Sequence, residues 1–492
     1  MGGMTLVVET RRTGTAEQAI ANTQPTATAD AGPLSLITHI HRDPPPGSGL
    51  VDGARYPESM LELIDGRAQT TPVHIPRPKS PPTALDPRDL VSTIVEDVGL
   101  RGDEALLEYA ARFDVALTAD RLAVEPGTVK KARGLVRPEL IDAIEVMAER
   151  LRATCERQRP SGWRDDRADE TVGELIRPLR RVGIYVPGGR AAYPSSVVMA
   201  SVPAQVAGVE GIAVCSPPQA GGEISESVLA ACSVLGITEV YRMGGAQAIA
   251  AFAYGTESVR PVEKIVGPGN VYVTLAKREV QGRCGVDSDA GPSEIVIIAD
   301  ENAEPQVLAM DLVAQAEHGP LGSHVLITWS ADLAERVMRA LEVAVARHER
   351  PDDVENALIE GGRAVLVADV DHALATANAF APEHLQLSLA DATSSLDGVR
   401  NAGSVFVGYN SPVPLGDYVG GTNHVLPTGG AARWSSGLGV LDFVKRIYFS
   451  SYEPSALERL GPHVAALAEA EGLHAHARTI ELRLQDKQEP LL

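Results

Sequence analysis

From residue 87 to about 160 apolar positions recur every three or four residues, as in DPRDLVSTIVEDVGLRGDEALLEYAARFD, and this spacing predicts amphipathic helices. The rhythm then changes. Short apolar runs that end in Gly or Pro turns follow, each leading toward a helical pattern: VGIYVPGG (182–189), GIAVCSPP (211–218), EVYRMGGAQAIAAFAYG (239–255) and KIVGPGNVYVTLAKREV (264–280). A second series begins at SEIVIIAD (293–300), continues through SHVLITW (323–329) and GRAVLVAD (362–369), and closes with LQLSL (385–389) and GSVFVG (403–408). Strand, turn and helix in alternation predict parallel sheets covered by helices, here two doubly wound α/β sheets. From about 438 the pattern is mostly helical and charged. That segment is too small to enclose a core alone, so it is expected to pack on another domain or another subunit.

Composition narrows the function classes. The 492 residues are 44% hydrophobic, enough for at least one large core, and the formal net charge is −21. A surface of that sign repels a phosphate backbone, so nucleic acid is not an expected partner and small-molecule chemistry is. Cys155, Cys215, Cys232 and Cys284 are scattered with no CxxC pair, which points away from a disulfide framework or a Cys-based zinc site and suits a reducing cytoplasm. No apolar run approaches the roughly 18–20 residues that span a bilayer, so no membrane partner is expected. Residues 1–59 are rich in Thr, Ala, Pro and Gly and include DPPPGSG; they read as a disordered extension. Their few acids and Arg11-Arg12 leave a transit peptide as an alternative, and Met60 is an alternative start.

Ligands of open α/β sheets bind at the carboxyl ends of the strands. No GxGxxG occurs, but PGG (187–189), MGGAQ (243–247) and GPGN (267–270) each allow close backbone approach. Singly each is more often a plain turn; three in one sheet favour a nucleotide site. In LVAQAEHGPLG (312–322), Gln315 and His318 are three apart and share a helical face, whereas Glu317 points about 100° away from His318. One amide and one imidazole make half a metal site, so other donors must come from elsewhere. FAPEHLQ, LGDYVGGTNHVLP and AEGLHAHAR supply them: Asp417 as a charged oxygen, and His424, His474 or His476 as an imidazole nitrogen. Glu383 and His384, adjacent rather than on one helical face, suit two separate proton transfers. Cys215 is read as a buried structural thiol rather than an aldehyde-capturing nucleophile.

Together GIYVPGG, YPSSVVM, VGPGN, DAGPSE, QAEH, PEHLQ, GDYVGGTNHVLPT and AEGLHAHA, in this order, resemble the histidinol dehydrogenase family from about residue 60 to the C-terminus. The resemblance implies one zinc ion per subunit and NAD as cofactors, and oxidation of L-histidinol through an aldehyde to L-histidine in two hydride transfers. By motif, Gln315, His318, Asp417 and His476 are the implied zinc ligands, and Glu383 and His384 the catalytic pair. Ser293, His424 and Glu471 match substrate-contacting positions, which the zinc ligands and His384 share. Tyr185, Gln247 and Asn270 match positions near the cofactor. The implied fold is two incomplete Rossmann-like domains, 60–184 plus 294–437 and 185–293, with the tail 438–492 exchanged across a homodimer. Alternatives are a related dehydrogenase for another small alcohol of the sulfopropanediol type, a zinc hydrolase, and a non-catalytic metal-binding scaffold. A carboxylate at Glu471 suits an ammonium-bearing substrate and would repel a sulfonate.

Overall fold

The run EIVIIA is buried at all six positions as a strand with a parallel neighbour on each side. It offers water no polar face, so it is stable only as an inner strand covered on both faces. The computed structural model describes residues 60–79, 86–188, 192–288 and 291–485, all within one compact unit. The expected extension over 1–59 lies outside the described residues.

In chain order the strands are β1 (Glu62–Asp65), β2 (Trp163–Asp166), β3 (Glu170–Pro178), β4 (Arg181–Tyr185), β5 (Gly211–Ser216), β6 (Glu239–Arg242) and β7 (Lys264–Val266). They continue as β8 (Gly285–Val286), β9 (Glu294–Ala299), β10 (Ser323–Thr328), β11 (Gly362–Leu366), β12 (His384–Ser388), β13 (Ser404–Val407) and β14 (Val444–Tyr452). One parallel sheet has the order β6-β5-β4-β7-β8, the other β1-β11-β10-β9-β12-β13. In each, the chain builds three strands outward in one direction and then returns to add two on the other side. This is the order of a dinucleotide-binding sheet lacking its last strand, with β1 added at the edge of the larger one. Two incomplete Rossmann-like sheets are therefore present, as the sequence predicts.

The grouping of residues 60–184 with the larger sheet needs correction. Only the first part belongs there: β1 pairs with β11, and Val73 and Ile75 pack with Val296 and Ile298. The helices Pro87–Arg101 and Asp103–Phe113 bury Val91, Val95 and Leu106 with Tyr185 and Phe252, against the smaller sheet. The helix Pro138–Gln158 buries Ile144 and Leu151 there too, with Val182 and Ile184. Periodicity shows that a helix has an apolar face; it does not show which sheet receives it.

The tail also differs in part. It is helical over Pro454–Ala470 and His474–Leu484, but it begins with β14, which pairs antiparallel with β3 in a three-stranded sheet, β14-β3-β2. The two helices bury little beyond Ala456, Gly461, Ala468 and Ala477, while Leu467 and Leu473 stay exposed. This segment has no core of its own, as its size predicts.

The GPGN loop after β7 is held from below. Gly267 has φ 114°, and a Cβ there would lie 2.1 Å from the Tyr185 carbonyl oxygen, so only glycine lets the loop lie against the end of β4. Lys277, buried on the following helix, donates to the Gly267 carbonyl and pairs with Asp287 at 2.5 Å. Asp287 in turn accepts from the Gly267 N–H at 2.6 Å. Burial pushes the Asp287 carboxyl up, and Lys277 opposes that shift. Lys277→Met is expected to leave this carboxylate buried and unpaired and to cost about 3–5 kcal/mol in urea unfolding. A loss below about 1 kcal/mol would mean that the pair does not pin the loop.

Candidate active site

Residues from both parallel sheets line one cleft of about 620 Å³. The smaller sheet contributes Tyr185 at the end of β4 and Pro268, Gly269 and Asn270 after β7, that is, the carboxyl ends flanking the point where strand order reverses. Asn270 caps the helix Val271–Val280: its Oδ1 accepts from the N–H groups of Tyr272 and Val273, both at 3.1 Å. A glycine loop running into a helix N-terminus presents the positive end of the helix dipole, which favours a phosphate.

The larger sheet contributes its other end. Ser293 precedes β9, His384 opens β12 and His318 lies before β10, so these groups sit at the amino ends of their strands. The carboxyl-end expectation holds for the smaller sheet and is reversed for the larger.

Gln315 belongs to the last turn of the helix Pro305–Ala316, and His318 lies just beyond, its N–H donating to the Gln315 carbonyl at 3.3 Å. Both line the cleft, as the three-residue spacing predicts. Glu317 also borders the cleft and pairs with His348 at 2.6 Å. Asp417, near the end of the helix Val413–Tyr418, and His424 face the same cleft. The His424 Nδ1–H donates to the Asp417 carbonyl at 2.8 Å, which leaves Nε2 as the nitrogen with a lone pair. Burial holds both His318 and His424 below the usual imidazole range, with Asp417 opposing in each case, so both rings are neutral near pH 7.

His384 and Glu383 share one anchor, the peptide groups of Glu294. The Glu294 N–H donates to Glu383 Oε2 at 2.9 Å, and its carbonyl accepts from His384 Nδ1 at 3.0 Å. The carbonyl fixes the tautomer: Nδ1 carries a proton, and Nε2, buried and without a close hydrogen-bond partner, is the basic nitrogen. Glu383 Oε2 is 3.6 Å from Nδ1, and Asp417 Oδ1 is 3.6 Å from Nε2. Burial pushes Glu383 up to about 7, against the pull of His384. For His384 burial disfavours the charge, but Glu383 and then Asp417 outweigh it and push the ring up to about 9. The segment ahead of the pair is strained: Ala381, just before Pro382, has φ 56° and ψ 68°.

Other sequence-predicted residues lie elsewhere. Glu383 is buried at the His384 Nδ1 side and is not among the side chains lining the cleft. Gln247 is buried after β6, its Nε2 donating to Asp114 at 3.2 Å, and does not line the cleft either. Glu471 and His476 are exposed in the tail, apart from the cleft-lining set, and exposed His474 shares their position. Cys215 is fully buried, and burial pushes its thiol far up, which fits the structural reading. Several residues escaped the sequence reading, Tyr193, Ser195 and Tyr418 of the cleft wall among them. Asp311 lines the cleft one helical turn before Gln315 and accepts from the Gln386 amide at 2.7 Å; its four-residue spacing from Gln315 was a usable signal. Glu294 adjoins Ser293 in the quoted motif, and Arg77 carried no signal at all.

The donors present suit a zinc ion. Among the described residues no three His, Cys, Asp or Glu side chains gather tightly enough to hold a metal alone. Of the donors on the cleft wall, the ones the resemblance implies are the His318 imidazole, the Asp417 carboxylate and the amide of Gln315, whose buried side chain has an unsatisfied Nε2. Three such donors are one short of a tetrahedral set, and the fourth must come from outside this cleft wall.

With two incomplete dinucleotide-type sheets facing an acid–base pair, the chain is an α/β oxidoreductase. Residues 79–484 match the family model for histidinol dehydrogenase. The chain is 47% identical over 401 residues to the histidinol dehydrogenase of Rhizobium meliloti (strain 1021), covering 81% of this chain and 92% of that protein. It is 44% identical over 406 residues to that of Methanothermobacter thermautotrophicus, covering 82% and 95%. The crystal structure of histidinol dehydrogenase from Elizabethkingia anophelis superposes with a TM-score of 0.81 at 34% identity, covering 87% of this chain and 98% of that one. The chain belongs to the histidinol dehydrogenase family.

The electrostatics of the pair give a direct test. Glu383→Gln removes the carboxylate that most favours the imidazolium, so the His384 pKa should fall, by about 1–3 units. An NMR titration of ¹³C-histidine-labelled, zinc-free protein, with His384→Asn for assignment, reads this shift. An unchanged His384 titration would refute the coupling.

Proposed function

We propose that this chain oxidises L-histidinol through L-histidinaldehyde to L-histidine with two NAD, in the cytoplasm, as part of histidine biosynthesis. The observation that carries the reading is the buried His384 Nε2, without a hydrogen bond and 3.6 Å from Asp417 Oδ1, on the cleft wall that also bears Gln315 and His318. Family membership supports the substrate, and the unpaired thiols suit a reducing compartment.

Gln315, His318 and Asp417 would hold zinc together with His476 from the tail of a second copy, in a homodimer whose exposed tails are exchanged. Zinc, when bound, supplies a Lewis-acid anchor for the substrate, and NAD, when bound, accepts the hydride. In its neutral form, which grows as pH rises towards about 9, His384 takes the alcohol proton at Nε2, and its Nδ1–H bond to the Glu294 carbonyl keeps the ring oriented as the charge forms. Glu383, poised near neutrality behind the cleft wall, would take the proton of the water that hydrates the aldehyde before the second oxidation, a role that requires that water to reach the buried carboxylate. Ser293, His424 and Glu471 position the substrate, Glu471 by its charge against the ammonium group. Tyr185, Asn270 and, from behind, Gln247 shape the cofactor side.

Purified protein with zinc and L-histidinol should form about two NADH per substrate, lose activity to a chelator and regain it with zinc. A ratio of one with free aldehyde accumulating would refute the two-step reading. His384→Asn should cripple oxidation of both histidinol and supplied histidinal. Glu383→Gln should mainly impair the histidinal step, since a lower His384 pKa enlarges the neutral form that takes the alcohol proton. Equal loss in both steps would refute that division.

Tail exchange has its own measurement. His318→Ala and His476→Ala chains, each inactive, are refolded together, with a size-tagged chain to verify mixing. Half the dimers are then mixed, and each mixed dimer holds one intact site, so activity should return to about 25% of wild type. Verified mixing without recovery would place His476 in its own chain's site.

A further inference from the structure

We propose that Arg77 is the positioning residue of the Glu383–His384 pair, acting through Glu294 from an extended segment some three hundred residues away in the chain. The proposal rests on the reading of that pair as the proton-handling groups.

Glu294 is the first residue of β9, where support from the sheet is incomplete, yet its N–H and carbonyl hold both side chains of the pair. Pairing with Ser323 of β10 holds its backbone on one side, whereas on the β12 side pairing begins only at Ile295, and there its side chain supplies a further hold. Arg77 Nε donates to Glu294 Oε1 at 2.5 Å and its Nη2 to Oε2 at 3.2 Å, a forked contact that fixes direction as well as distance. The Glu294 carboxylate is almost wholly buried, so it has little water to turn towards instead.

The same guanidinium reaches the other approach to the pair. Nη2 also donates to the Phe380 carbonyl at 2.8 Å, and the guanidinium carbon lies 3.7 Å from the Phe380 ring centroid. Phe380 ends the helix Val370–Phe380, and Ala381 and Pro382 lead from it into Glu383. One planar cation thus ties the start of β9 to the segment that delivers the pair into β12. Lysine, a point charge with no planar fork, cannot make the two bonds to Glu294, the bond to Phe380 and the stack together.

The competing account is that Arg77 merely neutralises a buried carboxylate. Three variants separate the two: Arg77→Met, Arg77→Lys and the double variant Arg77→Met/Glu294→Gln. Two readouts are used, steady-state kinetics with histidinol and the exchange rate of the His384 Nδ1 proton in substrate-free, ¹⁵N-histidine-labelled protein.

Positioning predicts that Arg77→Met lowers kcat by about 10–100-fold with KM changed less than about threefold, because small misplacements of reacting groups are costly. It also predicts faster exchange of the Nδ1 proton, since the carbonyl that receives it is no longer held. The double variant should recover thermal stability, as removal of both partners of a buried pair commonly does, but not kcat. Arg77→Lys should remain folded with kcat reduced about tenfold. Recovery of wild-type kcat in the double variant, or wild-type kcat and exchange in Arg77→Met, would overturn the proposal. If Arg77→Met does not fold, a wild-type kcat in Arg77→Lys overturns it. Should the wild-type protein fail to oxidise histidinol, the functional reading falls, and the Nδ1 exchange alone decides on Arg77: unchanged exchange overturns it, and faster exchange upholds it.

Discussion

The site depends on two backbone groups of one residue. Glu294 gives its N–H to Glu383 and receives the Nδ1–H of His384, so a single point on β9 sets where a carboxylate and an imidazole lie and which ring nitrogen is basic. That point is fixed by the core. β9 lies between β10 and β12, with Ile295 level with His384 and Glu294 level with Ser323, and its apolar side chains fill both faces of the sheet. A one-residue slip of β9 would carry Glu294 out of step with Ser323 and with the chain entering β12, so the register of the sheet sets where both side chains are held.

The two sheets share a strand order but meet the cleft by opposite ends. The smaller offers carboxyl ends, with glycine loops and a capped helix, which suit a phosphate-bearing cofactor. The larger offers amino ends, where residues entering a strand can project buried side chains while their peptide groups are still free to bond them. In the proposed function, cofactor binding and proton transfer would thus fall to different sheets. The electrostatics follow the same division, since Glu383 and His384, each deeply buried, shift one another in ways that an exposed pair would not.

Much of this was legible in the chain. The change from a helical to a strand–turn–helix rhythm located both sheets, and the three-residue spacing of Gln315 and His318 put them on one wall. What failed to show had physical reasons. Arg77 acts across some three hundred residues, and nothing near it in sequence differs from an ordinary loop arginine. Glu294 works through its backbone, which every residue has. The helices of 87–158 carried a clear apolar face but no mark of the sheet it would cover, and β14 was hidden in a segment dominated by helical pattern. Gln247 and Glu383 were placed by motif at the cleft, but burial sets both of them behind its surface.

Ala381 carries a consequence for how this protein can change. It holds a left-handed backbone conformation that costs an L-residue about 1–2 kcal/mol, one residue before Pro382 and two before Glu383. Glycine would be relieved of that cost and is one methyl group smaller. It would also be free to leave the conformation, and the turn that aims Glu383 would lose its stiffness. At this position a gain in backbone stability and a stiff turn ahead of Glu383 therefore pull in opposite directions.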